Sequence, residues 1–271
     1  MNRLVATATR VTGLRRHLAA FVGGALVGLL GGLVGLGGAE FRLPLLLVFG
    51  FAALQAVILN KAIGLAVVAT ALVFRSGTVP LLEVAAHWPV IANLLAGTLV
   101  GAWFAADWAT RWQSATLHRV MAVLLVAIAL VLLLGHAPGA HRTQLDGAWL
   151  LAAGVGAGLV IGAVASLLGV AGGELLIPTL VLLFGVDIKL AGSLSLAVSL
   201  PTMLIGFARY SRDRSFAVLS ENRGFVLSMA AGSIGGAAAG GIWLGAVPAD
   251  VLLPGLAAIL LLSSIKTWQH A

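Results

Sequence analysis

Eight long apolar runs recur along this chain, near 18–38, 55–74, 88–106, 119–135, 149–170, 190–210, 223–243 and 251–265. Most are about 17 to 22 residues long, enough to cross a hydrocarbon core of roughly 30 Å. At that depth a helix satisfies all of its own backbone polar groups. The expected fold is therefore an all-α polytopic membrane protein with about eight long transmembrane helices. Composition agrees, with 61% apolar and 9% charged residues, whereas a soluble chain carries about a quarter charged. The net charge of +7 then speaks to orientation rather than to nucleic acid. The first run exceeds the apolar core of a cleavable signal and leads straight into a glycine break.

Two apolar pieces are too short to fit this pattern. They cover about 41–51 and 175–185, and each follows a glycine-rich break. Eleven helical residues reach only about 17 Å, so each is expected to be a re-entrant half-helix. Non-helical backbone at membrane depth survives only where protein or a wet cavity satisfies it. Arg3, Arg10, Arg15 and Arg16 precede the first run, and Arg209, Arg212, Arg214 and Arg223 flank the loop at 211–222. By the positive-inside rule both termini and that loop are expected to be cytoplasmic.

The breaks are copies of one another. A shift of 134 residues superposes Gly28 on Gly162, Gly35 on Gly169, Gly38 on Gly172, Glu40 on Glu174 and Pro44 on Pro178. One inserted residue then brings Phe49-Gly50 onto Phe184-Gly185, and further on "AGTLVG" at 96–101 onto "AGSIGG" at 231–236. The chain thus divides into an N-terminal segment 1–17, a first repeat 18–135, a polar linker 136–148 and a second repeat 149–271. Paired, glycine- and proline-interrupted segments in two halves point to the binding site of a secondary transporter. A carrier for a small anion and a carrier or channel for a cation both fit at this level.

Gly35, Gly37 and Gly38, with Gly169, Gly172 and Gly173, are expected to end one helix and open the next. A half-helix amino terminus presents free N–H groups and partial positive charge, which suits an anion. Glu40 and Glu174 are the candidate proton-coupling groups, since a carboxyl at membrane depth is costly and functional by default. Capping of the short helices is their structural alternative, and ligation of a transported cation a third role. Arg42 has no basic counterpart in the second half. It is a candidate anion contact, or it snorkels. Asn60 and Lys61 interrupt an apolar helix, and Ser195 aligns with Asn60. Ser195 and Ser199, four residues apart, share one helix face. These four complete the candidate substrate-binding set.

Other chemistry is excluded by what the sequence lacks. It has no cysteine, which removes thiolate catalysis, disulfides and zinc–thiolate sites. Its six histidines lie near loops or ends without a ligand spacing such as HExxH, and no GxSxG or P-loop occurs. No enzyme activity, metal or cofactor is expected.

The break sequences "GLGGAEFRLP" and "GVAGGELLIP", each followed by a short helix ending in "FG" and then by a polar "NK" or "SLS" helix, resemble those of the sulfite exporter TauE/SafE family of bacterial membrane permeases. The likeness runs from about residue 18 to 265. It implies a multi-pass protein of the bacterial inner membrane. It also implies proton-coupled passage, most naturally export, of a small sulfur-containing anion such as sulfite or an organosulfonate. Its partners would be that anion, protons and lipid; a homo-oligomer is allowed.

Overall fold

The computed structural model describes residues 2–34, 38–76, 79–134 and 147–242, together with 261 and 265. The expected last span at 251–265 and most of the linker lie outside the described residues, as do Gly35 and Gly37. Among the described residues the chain is helical and contains no strand. The long helices are α1 (Asn2–Val34), α3 (Ala53–Arg75), α5 (Trp88–Arg111), α6 (Ser114–Leu134), α7 (Gly147–Leu168), α9 (Ile188–Tyr210) and α11 (Arg223–Ile242). Five stretches within them, in α1, α3, α5, α7 and α9, have the length and hydropathy of a membrane crossing. The two short helices are α2 (Ala39–Val48) and α8 (Gly173–Phe184), and short helices α4 (Leu81–Ala86) and α10 (Val218–Glu221) cap the ends. Helix α1 runs unbroken through position 17, so the expected N-terminal segment is continuous with the first span.

Contacts fix the direction of each helix. Arg16, early in α1, lies over the rings of Phe51 and Phe225 and donates to Asn222. The chain after α2 and the start of α11 therefore share one end of the molecule, together with the loop at 211–222. Asp107 pairs with Arg209 and with Arg111 at this same end, where Arg209 and Arg212 also stack on Trp103. At the opposite end Arg75 donates to Ser193, and Asn93 donates to the Leu151 carbonyl. Helices α1, α3 and α11 thus leave the arginine-rich end, and α5, α7 and α9 return to it.

Here the structure differs from the expected entry and exit of each short helix by one face. Helix α2 instead carries the chain back to the end where α1 begins. The reason is geometric. Gly38 sits against the Val27 carbonyl, seven residues below the end of α1 and so about 10 Å back along it. From that depth ten residues suffice to reach the starting end. In the same way α8 begins beside Ile161 and Ala165 and ends with Phe184 beside Gly154, near the start of α7. The two hairpins, α1–α2 and α7–α8, open at opposite ends.

Close packing of α1 on α11 and of α5 on α7 comes from glycines four residues apart. A Cβ at Gly24, Gly28, Gly232 or Gly236 would strike the backbone of the facing helix, and so would one at Gly97, Gly101, Gly158 or Gly162. Without a hydrophobic drive between helices in lipid, such backbone approach is what holds them together.

Candidate functional site

Each break is a left-handed turn that only glycine adopts without strain. Gly38 (φ 69°) precedes α2 and Gly172 (φ 80°) precedes α8, while Gly169 (φ 68°) closes α7. Pro44 and Pro178 lie at the sixth position of their short helices. A proline there removes the N–H that the carbonyl four residues earlier would accept, which in α8 is that of Glu174.

Carbonyls freed at membrane depth need donors, and the neighbouring long helices supply them. Asn60 of α3 donates from one nitrogen to the Ala39 carbonyl at 2.9 Å and to the Leu168 carbonyl at 3.1 Å. One side chain thereby joins the start of α2 to the end of α7, and the two breaks meet in the interior. Ser199 of α9 donates to the Ala171 carbonyl at 2.7 Å. Ser195 is satisfied within its own helix, donating to the Gly192 carbonyl. Asn60 and Ser199 are thus engaged with backbone, and Ser195 lies buried beside them.

Charge collects around this crossing. Arg42 and Lys61 are both completely buried, so neither snorkels to an exposed surface. Arg42 donates from Nη1 to Asn60 Oδ1 at 3.3 Å. Lys61 projects toward the end of α7, with Nζ donating to the Ala165 carbonyl at 3.5 Å. Glu174, in the first turn of α8, is 2% exposed. Glu40 belongs to the first turn of α2, and its side chain lies outside the described residues. Two basic side chains and one carboxyl are thus buried in a low-dielectric interior, where charges interact strongly. Among the described residues no group of metal-ligating side chains comes together.

Sequence reasoning missed several members of this cluster. Ser166 is fully buried, and its Oγ has no hydrogen-bond partner among the described residues. Its carbonyl accepts from the hydroxyl of Tyr210, the one tyrosine of the chain, at 3.0 Å. Thr202 donates to Thr98 at 2.7 Å and so links α9 to α5. The available signal was position: Ser166 stands three residues before Gly169, and Tyr210 closes the polar helix α9.

The family model described as sulfite exporter TauE/SafE matches residues 19–267, nearly the whole chain. Comparison with curated proteins and with solved structures found no match. Two glycine breaks, apolar helices long enough to span a bilayer and a match over nearly the whole chain make this multi-pass membrane permease a member of the sulfite exporter TauE/SafE family.

Proposed function

We propose that this permease exports a small sulfur-containing anion, of the sulfite or organosulfonate type, from the cytoplasm across the bacterial inner membrane, coupled to proton movement. The observation that carries the reading is the burial of Arg42 and Lys61 beside the meeting point of the two breaks. Positive charge is costly in a membrane interior, and an anionic substrate stabilises it there. Gly35, Gly37, Gly38, Gly169, Gly172 and Gly173 shape the breaks around the substrate, with Asn60, Ser195 and Ser199 behind them. Glu40 and Glu174 are assigned to proton exchange. A cation carrier is the poorer reading, since Arg42 and Lys61 would repel its substrate.

The two halves, 18–135 and 149–271, act in this reading as inverted copies. Hairpins α1–α2 and α7–α8 opening at opposite ends support it, as do the matched glycine pairs of α1–α11 and α5–α7. Inverted halves offer alternating access by rocking of one against the other around a fixed site. Both termini are assigned to the cytoplasm with the arginine-rich end. The test is flux in proteoliposomes under an imposed pH gradient, with sulfite, organosulfonates, sulfate and monovalent cations offered in turn. Gradient-dependent movement of a sulfur oxyanion is expected. Movement of cations alone would overturn the proposal.

A further inference from the structure

Lys61 and Ser166 face one another across a position that has no side chain. A Cβ built on Gly206 of α9 would lie 3.0 Å from Lys61 Nζ and 3.0 Å from Ser166 Oγ. Two such separations place the ammonium and the hydroxyl within 6.0 Å of each other. An anion oxygen about 2.8 Å from each fits that spacing.

Both groups have capacity to spare. Lys61 carries three N–H donors and makes one long bond, to the Ala165 carbonyl at 3.5 Å. Among the described residues no carboxylate pairs with it. Among the described residues Ser166 Oγ makes no bond of hydrogen-bond geometry, although the residue is completely buried and the Tyr210 hydroxyl lies close by. An unmade bond at such a place is costly, so its persistence needs a reason. Its backbone is held firmly: the Ser166 carbonyl accepts from the Tyr210 hydroxyl and from the Gly169 N–H. The hydroxyl is therefore presented on a fixed frame at the edge of the second break.

We propose that Lys61 and Ser166 form a subsite for one oxyanion headgroup, with Gly206 as its size-limiting wall. Lys61 supplies the charge, Ser166 donates one directional hydrogen bond, and the missing side chain at 206 keeps the approach open. The subsite selects a compact headgroup with three or four oxygens on one central atom. This rests on the anion-export reading above and extends it to residues of α7 and α9.

Ser166→Ala is the sharpest test, because among the described residues its hydroxyl makes no bond of hydrogen-bond geometry. The purified variant is expected to melt at or above the wild-type temperature without anion. Half-saturating concentrations of sulfite in counterflow are expected to rise about tenfold, the loss of one hydrogen bond to a charged group. Gly206→Ala is expected to weaken methanesulfonate and sulfate more than sulfite, shifting the selectivity ratio. Thermal protection of the wild type by sulfite, sulfate, phosphate and nitrate is measured in parallel. Protection by phosphate or nitrate that Ser166→Ala removes, with no sulfur oxyanion transported, would uphold the subsite and overturn the substrate class. Wild-type affinity and selectivity in both variants would overturn the subsite, as would the absence of protection by any anion.

Discussion

Asn60 holds Leu168 by a 3.1 Å hydrogen bond to its carbonyl, although 108 residues separate the two in sequence. The same nitrogen bonds Ala39, and the amide oxygen accepts from Arg42. One fully buried side chain thus joins a break of the second half to a break of the first. Asn60→Leu keeps the volume and removes all three bonds. It leaves the Ala39 carbonyl and the last carbonyl of α7 short of a donor, at about 1 to 3 kcal/mol for each group so exposed. A large fall in the melting temperature of detergent-purified protein is expected. Asn60→Asp should also destabilise, since an oxygen then faces two carbonyls. Wild-type melting of both variants would show that the bridge contributes nothing.

The left-handed turn at Gly169 makes a second stability prediction. Its Cβ would strike the Val57 carbonyl of α3, and its φ of 68° is unfavourable for any side chain. Gly169→Ala therefore combines a backbone collision with strain of about 1 to 3 kcal/mol. Gly156, on the same helix α7, has open space where a Cβ would go, so Gly156→Ala is the control. Expression and melting should fall for the first and stay near wild type for the second. Equal behaviour would mean that the break tolerates other geometries.

Orientation can be read by labelling. Ser215 lies in the loop at the arginine-rich end, and Leu82, 85% exposed, lies in α4 at the opposite end. Single cysteines at these positions have no native thiol to compete with. An impermeant reagent on intact cells should label position 82 and spare position 215. This pair also discriminates the path of the short helices. If α2 entered and left by one face, position 82 would be cytoplasmic and protected.

Much of this architecture is legible in the sequence because membrane crossing demands long apolar runs, and short ones stand out against them. The breaks are legible because glycine and proline carry backbone geometry in their identity. What the residues do not announce is where a chain sits once it has turned back. Whether α2 returns to its starting end depends on the level of α1 at which Gly38 sits, and no residue type encodes that. Lys61 and Asn60 stand out in an apolar helix, yet their partners do not. Ala39, Leu168 and Ala165 contribute backbone carbonyls, which every residue has. Ser166 was missed for the same reason: a serine in a glycine- and alanine-rich helix reads as a packing residue until its surroundings are known.

The charge on Lys61 should govern anion movement. Methionine keeps much of the apolar stem and removes the ammonium, and it also removes a bond of only 3.5 Å. Lys61→Met should therefore fold at least as well as wild type, because burying a charge is costly. Anion flux should drop by a factor of about 100 or more, as expected for loss of a buried ionic contact worth about 3 kcal/mol. Unchanged flux in a well-folded Lys61→Met protein would remove Lys61 from the site.

Glu174 should set the response to a pH gradient rather than hold the substrate. It is buried in the first turn of α8, directly after the break. An ionised carboxylate there repels a passing anion, whereas a neutral carboxylic acid does not. On the proposed reading, anion passage would require a proton on Glu174, and release of that proton on the other side would couple the two fluxes. Glutamine reproduces the neutral form in shape and hydrogen bonding but cannot release a proton. Glu174→Gln is accordingly expected to keep anion–anion counterflow, which needs no net proton movement. It should lose accumulation driven by a pH gradient, and its flux should depend less on pH than that of the wild type. Glu40→Gln, in the matching turn of α2, tests whether one carboxyl or both are needed. If gradient-driven accumulation survives in both single variants and in the double variant, the coupling group lies elsewhere and these glutamates serve the breaks structurally.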